Sequence, residues 1–405
     1  MLTHGRNVSY DIPDPDLPEV SQWIISNPNR VNLGRIGLRY NGASLEASAI
    51  TSPRQELDPW NGRIISEFKV DNESVTVITQ GDFESDAVAF SIESQLLASG
   101  KLVVELDFPY PPVHSTAYKY EVFAGSYDFP GNHTTVGRKN CLSKDTAHIY
   151  HEMQETRYHV NLRWPSETPL DLARANTTTE TAHRFTLSPT ESSNESTLPS
   201  TVSFTAQFSP DIGQPDLPLA IQKRNLEAWH DYWNEGGFID LTESSNPAAS
   251  ELQRRIILSQ YHVRVNSAGT GQPPQESGLM NNGWYGKFHM EMVVWHQAHW
   301  ATWGRQKYFD AIFPAVYEAL LPTSVARAKK MGWEGARWPK MTELVSGVSS
   351  PGGINGLLLW QQVSSLKLEA MELGDSDDGD LATPNADGFV CIPGQPNQAN
   401  TSSLG

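Results

Sequence analysis

The chain changes period once along its length. Up to about Phe208, apolar residues recur at every second position in short runs. Ser74–Gln80 (SVTVITQ), Ala87–Glu93, Lys101–Phe108, Tyr118–Phe123, Tyr158–Trp164 and Val202–Phe208 repeat this theme, as half-buried strands do. Between them lie clusters of Gly, Pro, Asn and Asp, such as Phe108–Val113 (FPYPPV) and Phe129–Asn132 (FPGN). Short strands so punctuated predict an antiparallel β-sandwich. Ser166–Ser200, rich in Ser, Thr and Glu, reads as a surface excursion or a hairpin insertion.

After Pro218 the spacing becomes helical. Leu219–Glu235 carries Leu226, Trp229, Tyr232 and Trp233 at helical intervals and stops at Gly236-Gly237. Ser245-Asn246-Pro247 offers a cap for Ala248–Val265. Lys287–Trp303 holds neither Gly nor Pro and predicts a helix of more than four turns. Lys307–Met331 predicts another, kinked or divided at Pro314 and Pro322, and Ile354–Leu373 one more. The expected layout is therefore a β-sandwich over 1–217, a helical linker over 218–247 and a helical domain over 248–373. The tail 374–405 has no helical period and is expected to be disordered.

A length of 405 residues suits two domains better than one. The net charge of −17 argues against nucleic acid or an anionic membrane surface as partner. No apolar run reaches the length of a membrane span, and MLTHGRNVSYDIPDPD is not a signal peptide. Asn-X-Ser/Thr sequons at Asn7, Asn72, Asn132, Asn176, Asn194 and Asn400 count only if the chain is secreted, so the compartment stays open. Cys141 and Cys391 lie far apart and suggest neither a disulfide scaffold nor a metal cluster; no cofactor is implied.

Tryptophan places the candidate chemistry. Three of the twelve precede residue 229, so a pocket belongs to the helical half. Three Trp-rich segments recur there: Gly283–Trp295, Trp333–Lys340 and Leu359–Gln362. The first offers Trp284, Lys287, His289 and Glu291, the second Arg337, Trp338 and Lys340, the third Trp360, Gln361 and Gln362. Such cations and amides hydrogen-bond hydroxyls while indole faces cover the apolar side of a sugar ring. Blander readings stand beside these. His296 and His299 share a helical face but lack a third metal ligand. Lys287 or His289 beside Glu291 makes an ordinary salt bridge, and Arg337 a surface pair. Trp295, Trp300 and Trp303 read as core, whereas Trp284 and Trp338, in loops, read as better binding candidates.

The order GWYGKFHMEMVVWHQAHWATWGR, GWEGARWPKM, GLLLWQQ resembles six-hairpin glycosidase-like proteins related to glycoside hydrolase family 65. The resemblance covers roughly Leu226–Gln362 and implies a β-sandwich, a helical linker and an (α/α)6 barrel acting on carbohydrate. In that family a Trp-Asp pair holds the sugar at the cleaved bond. Glu291 matches its acid, with Met290 in place of the aromatic neighbour. The family's general acid lies further along the barrel, and no segment here corresponds to it. Twelve helices of ~11 residues with ~5-residue connections need about 190 residues. Ala248–Leu373 is shorter, so the expectation is an incomplete toroid. The function implied is hydrolysis of glycosidic bonds by inversion, with Glu291 and more distantly Glu343 as carboxylates. Carbohydrate binding without turnover, or an inactive fragment, are the alternatives.

Overall fold

The structure is a computed structural model of the chain. It describes residues 11–26, 31–111, 125–139, 143–175, 182–191, 197–269, 287–344, 346–353 and 362, with short strands at 2–3 and 6–7. Two compact units divide the chain: residues 31–113 with 121–234, and residues 1–30 with 114–120 and 235–405.

The helical unit opens the chain, ahead of the β unit. Strands β1 (Leu2–Thr3) and β2 (Arg6–Asn7) pair antiparallel, and helix α1 (Pro18–Ser26) follows. These first thirty residues, expected in the sandwich, fall instead in the helical unit.

The β unit contains β3 (Arg35–Tyr40), β4 (Ala43–Ser44), β5 (Thr51–Asp58), β6 (Arg63–Val70), β7 (Glu73–Gly81) and β8 (Ala87–Glu93). A short helix α2 (Gln95–Ala98) leads to β9 (Leu102–Asp107), β10 (His133–Lys139), β11 (Thr146–Met153) and β12 (Thr156–Arg163). Then come β13 (Leu170–Arg174), β14 (Arg184–Pro189) and β15 (Thr201–Ser209). Eight strands form one antiparallel sheet, in the order β10-β11-β12-β15-β8-β7-β6-β5; five form the other, β13-β14-β9-β3-β4. Alternating residues of both sheets meet in one core: Leu102, Val104 and Leu106 from the smaller, Ile149, Val160, Leu162 and Phe204 from the larger. Each such side chain, fully buried, contributes roughly 1.5–3 kcal/mol. The strands expected at β7, β8, β9, β12 and β15 are present, though β9 is buried along nearly its whole length, while Tyr118–Phe123 lies outside the described residues. Ser166–Ser200 supplies the β13–β14 hairpin, and its Leu170, Leu172, Phe185 and Leu187 enter the core rather than the surface.

Tight turns carry the connections. Asn41 and Gly42, then Asp71 and Asn72, take positive φ in two-residue hairpin loops, the conformation that matches strand twist. Edge strand β5 is blunted by Pro53 and by a register shift between Thr51 and Arg54.

Helix α3 (Pro218–Asn234), expected in a linker, packs within the β unit. Ile221 meets Ala87 and Ala89. Buried Asn225 accepts from Phe83 N at 3.0 Å and donates to the Gly81 carbonyl at 2.7 Å. Arg224 pairs with Asp82, Nη2 to Oδ2 2.7 Å. Near its end, Trp229 lies over Gly62, which sits at φ +61°; a Cβ there would come within 1.8 Å of the indole nitrogen.

The helical unit carries α4 (Ala249–Ser267), β16 (Phe288–His289), α5 (Val293–Thr302), α6 (Gln306–Asp310), α7 (Phe313–Lys330) and β17 (Met341–Thr342). Pro314 divides α6 from α7 at the first turn of α7, where a missing N–H costs nothing, and Pro322 lies inside α7. Among the described residues this unit has five helices, α1 and α4 to α7. The helix expected over 354–373 and the tail 374–405 lie outside the described residues, Gln362 apart.

Candidate functional site

The run Lys287–Trp303 does not begin as helix. Phe288 and His289 are extended and pair with Met341 and Thr342: Phe288 opposite Thr342, His289 opposite Met341. Met290 N extends the pairing to the Lys340 carbonyl at 2.9 Å. A 3₁₀ turn, Met290–Met292, then turns the chain into α5. Backbone hydrogen bonds to a strand fifty residues away hold what local propensity would have made a first helical turn. This pairing brings the first Trp-rich segment onto the second.

Its product is a buried charged cluster. Lys340 Nζ stands 3.1 Å from Glu291 Oε1. His289 Nδ1 is 3.8 Å from the same oxygen and 3.4 Å from Lys340 Nζ. His289 and Lys340 are buried, and the Glu291 side chain keeps 12% of its exposure. Burial pushes His289 down to about 4, with the neighbouring Lys340 charge adding to this against the pull of Glu291. The imidazole is therefore neutral at physiological pH. Burial pushes the Glu291 carboxyl up, but His289 and Lys340 more than offset it, and the group lies below its ordinary value. A neutral ring, an ammonium and a carboxylate thus share one small volume. Glu291 can accept hydrogen bonds from hydroxyls or take a proton as a base; at neutral pH it has none to give.

The other candidates have protein partners. Lys287 Nζ donates to the Ile24 carbonyl at 2.8 Å and to Ser350 Oγ at 2.6 Å, and burial lowers it to about 8 against the opposing charge of Glu343. Arg337 is buried; its N–H donates to the Ser324 carbonyl, and its guanidinium stands 5.9 Å from the Trp333 ring centre. Trp338, placed by the sequence in an open loop, is buried against Tyr317 with ring centres 4.8 Å apart. Glu343 Oε2 accepts from Ser346 N at 2.6 Å, within its own turn. Trp284, Trp360 and Gln361 lie outside the described residues.

Gln362, offered by the third segment, ties that segment to the second. Its Oε1 accepts from Trp338 N at 2.7 Å and its Nε2 donates to the Trp338 carbonyl at 2.9 Å. Nothing in the adjacent pair Gln361-Gln362 says what either holds; the facing backbone of Trp338 does.

One expectation about α5 changes. Trp295, read as core, is 73% exposed, while Trp300 is fully buried as read. His299 Nε2 donates to the His296 carbonyl at 2.7 Å, the bond of a helical turn rather than a ligand geometry.

No family model matches the chain, and no curated protein matches it. Among solved structures it is similar to a bacterial glucoamylase complexed with acarbose, at 9% identity and a TM-score of 0.49. The match covers 84% of this chain and 50% of that one, so the chain spans half the length of the glucoamylase. No helix among the described residues is long and apolar enough to cross a membrane.

Proposed function

We propose that the chain is a carbohydrate-active protein of the glycoside hydrolase type, and that Glu291 is its sugar-facing carboxylate. One observation carries the reading: Glu291 is held as an anion, 3.1 Å from Lys340 and beside neutral His289, in a wall that is otherwise buried. A carboxylate fixed in low-dielectric surroundings accepts hydroxyl hydrogen bonds at full strength. The resemblance of the three Trp-rich segments to six-hairpin glycosidases points the same way. In an inverting reaction Glu291 would activate water, and a second carboxyl about 6.5–9.5 Å away would protonate the leaving oxygen.

Binding without turnover is the second reading, and Glu343 favours it. The second candidate acid accepts from Ser346 N within its own turn, a structural role that needs no substrate. Oligo- and polysaccharide substrates, the inverting course and the ring of paired helices belong to the first reading alone.

The test is turnover by the purified chain on α- and β-linked oligosaccharides, beside Glu291→Gln. Turnover lost in the variant supports catalysis. Calorimetric binding without turnover, weakened in Glu291→Gln, supports the second reading, and neither turnover nor binding sinks both.

A further inference from the structure

Three imidazoles lie together in the β unit: His133 opening β10, His151 on β11 and His183 just ahead of β14. Their partners fix where the ring protons sit. Tyr158 donates its hydroxyl proton to the Leu33 carbonyl, which can only accept. The Tyr158 oxygen therefore accepts from His151 Nδ1, 2.6 Å away, and His151 carries its proton on Nδ1. Its Nε2 is then a bare acceptor, and His133 Nδ1 donates into it at 2.8 Å. His183 donates from Nε2 to the Pro130 carbonyl at 2.8 Å, and its Nδ1 accepts from Thr135 Oγ1 at 3.0 Å. The His133 and His183 rings lie 3.6 Å apart, centre to centre.

This path crosses the sandwich. Tyr158, His151, His133 and Thr135 stand on strands of the larger sheet, whereas Leu33 leads into β3 and His183 into β14 of the smaller. Tyr158–Leu33 and His183–Thr135 are thus stitches between sheets. Around them, Phe108 faces His151 and Tyr110 faces His133. Arg174, bonded to Thr135 and the Ala182 carbonyl, and Asp107, paired with Arg184, act on His183 with opposite signs. Among the described residues no carboxylate bonds any of the three rings. A proton added to His151 Nε2 would face the N–H of His133, and a charge on His133 would lie against His183.

We infer that His133, His151 and His183 form an acid-opened clasp between the two sheets, closed while all three rings are neutral and broken when the first takes up a proton. Burial is the main cause of their low proton affinity, pushing His133 down to about 4 and His151 to about 3, with His183 also lowered. An unfolded chain binds these protons near an ordinary value of about 6.5. Unfolding between those values therefore takes up protons; the clasp's contribution is complete above about pH 6.5 and is lost as pH falls toward the folded values. A metal site is the rival geometry, but both nitrogens of His183 and both of His151 are engaged, which leaves one ring rather than three.

The decisive experiment is long-range ¹H–¹⁵N correlation on the full chain labelled in histidine, titrated from about pH 7.5 to about 4. Rings are assigned with His133→Asn, whose amide still donates to His151, and His183→Gln. The expected result is Nδ1–H for His133 and His151, Nε2–H for His183, and no titration of any of them at about pH 6. Calorimetric unfolding at about pH 5.5 should take up about one proton fewer in His133→Asn than in the wild type. A ring in the opposite tautomer, independent titration near 6.5, or ring shifts on adding zinc would each overturn the clasp. The wild-type spectra decide the matter even if a variant does not fold.

Discussion

The side-chain amide of Gln362 pairs with both backbone groups of Trp338, accepting from its N–H at 2.7 Å and donating to its carbonyl at 2.9 Å. A backbone position on a loop is thereby satisfied by a side chain twenty-four residues later, as a strand partner would do. Gln362→Leu leaves a donor and an acceptor of Trp338 without these bonds. The expected loss is about 1–3 kcal/mol, read as a fall in the urea midpoint of the helical unit. Gln362→Glu can accept but not donate, and should fall between wild type and Leu.

Lys340 sets the charge state of Glu291. In Lys340→Met the burial that pushes the Glu291 carboxyl up loses one of its two counterweights, and His289 alone remains. The carboxyl's titration should move to higher pH, toward or above its ordinary value. Carbon-13 NMR of the labelled glutamate checks this. If the carboxyl contacts sugar, the acid limb of the binding profile should move up with it.

Lys287 makes a pH prediction of opposite sense to an ordinary lysine pair. Burial lowers it to about 8, so between about 8 and 10.5 the folded chain binds fewer protons than the unfolded one. Its contribution to stability should rise as pH climbs through that window. Denaturation midpoints from about pH 7 to 10, compared with Lys287→Met, isolate it; a wild-type slope equal to the variant's would contradict the assignment.

Gly62 is irreplaceable on two grounds, a φ of +61° and the Trp229 indole lying where a Cβ would be. Trp229 is buried and cannot swing clear. Gly62→Ala should cost roughly 2–5 kcal/mol, combining backbone strain with overpacking. Near-ultraviolet circular dichroism should show the tryptophan environment altered while the far-ultraviolet sheet signal persists.

What the chain's pattern disclosed was the part encoded by neighbours. Ala87–Glu93 and Val202–Phe208 carry large apolar residues at alternate positions because one face enters the sandwich core, and they are strands with almost those bounds. His133–Lys139 (HTTVGRK) escaped because its buried positions, His133 and Thr135, are polar and satisfied across the core. The helix expected from Lys287 starts only at Val293, since no local feature of KFHMEM announces a partner at Met341 and Thr342. The same non-local pairing makes the cluster: Lys340 and Glu291 were both candidates, but nothing in either segment says that they touch. Trp338 shows the converse error, because a loop beside proline need not be an open one.

The larger sheet joins two runs of neighbouring strands, β5 to β8 and β10 to β12, through β15, the last of its members to be made. While a ribosome adds the stretch between β8 and β15, the rim of β8 stays unpaired, and that of β12 joins it once residue 163 is made. At about 5–20 residues per second that interval lasts on the order of ten seconds. A nascent chain is thus most vulnerable to cross-pairing in the middle of its synthesis, and residues 201–209 act as the zip that ends the hazard.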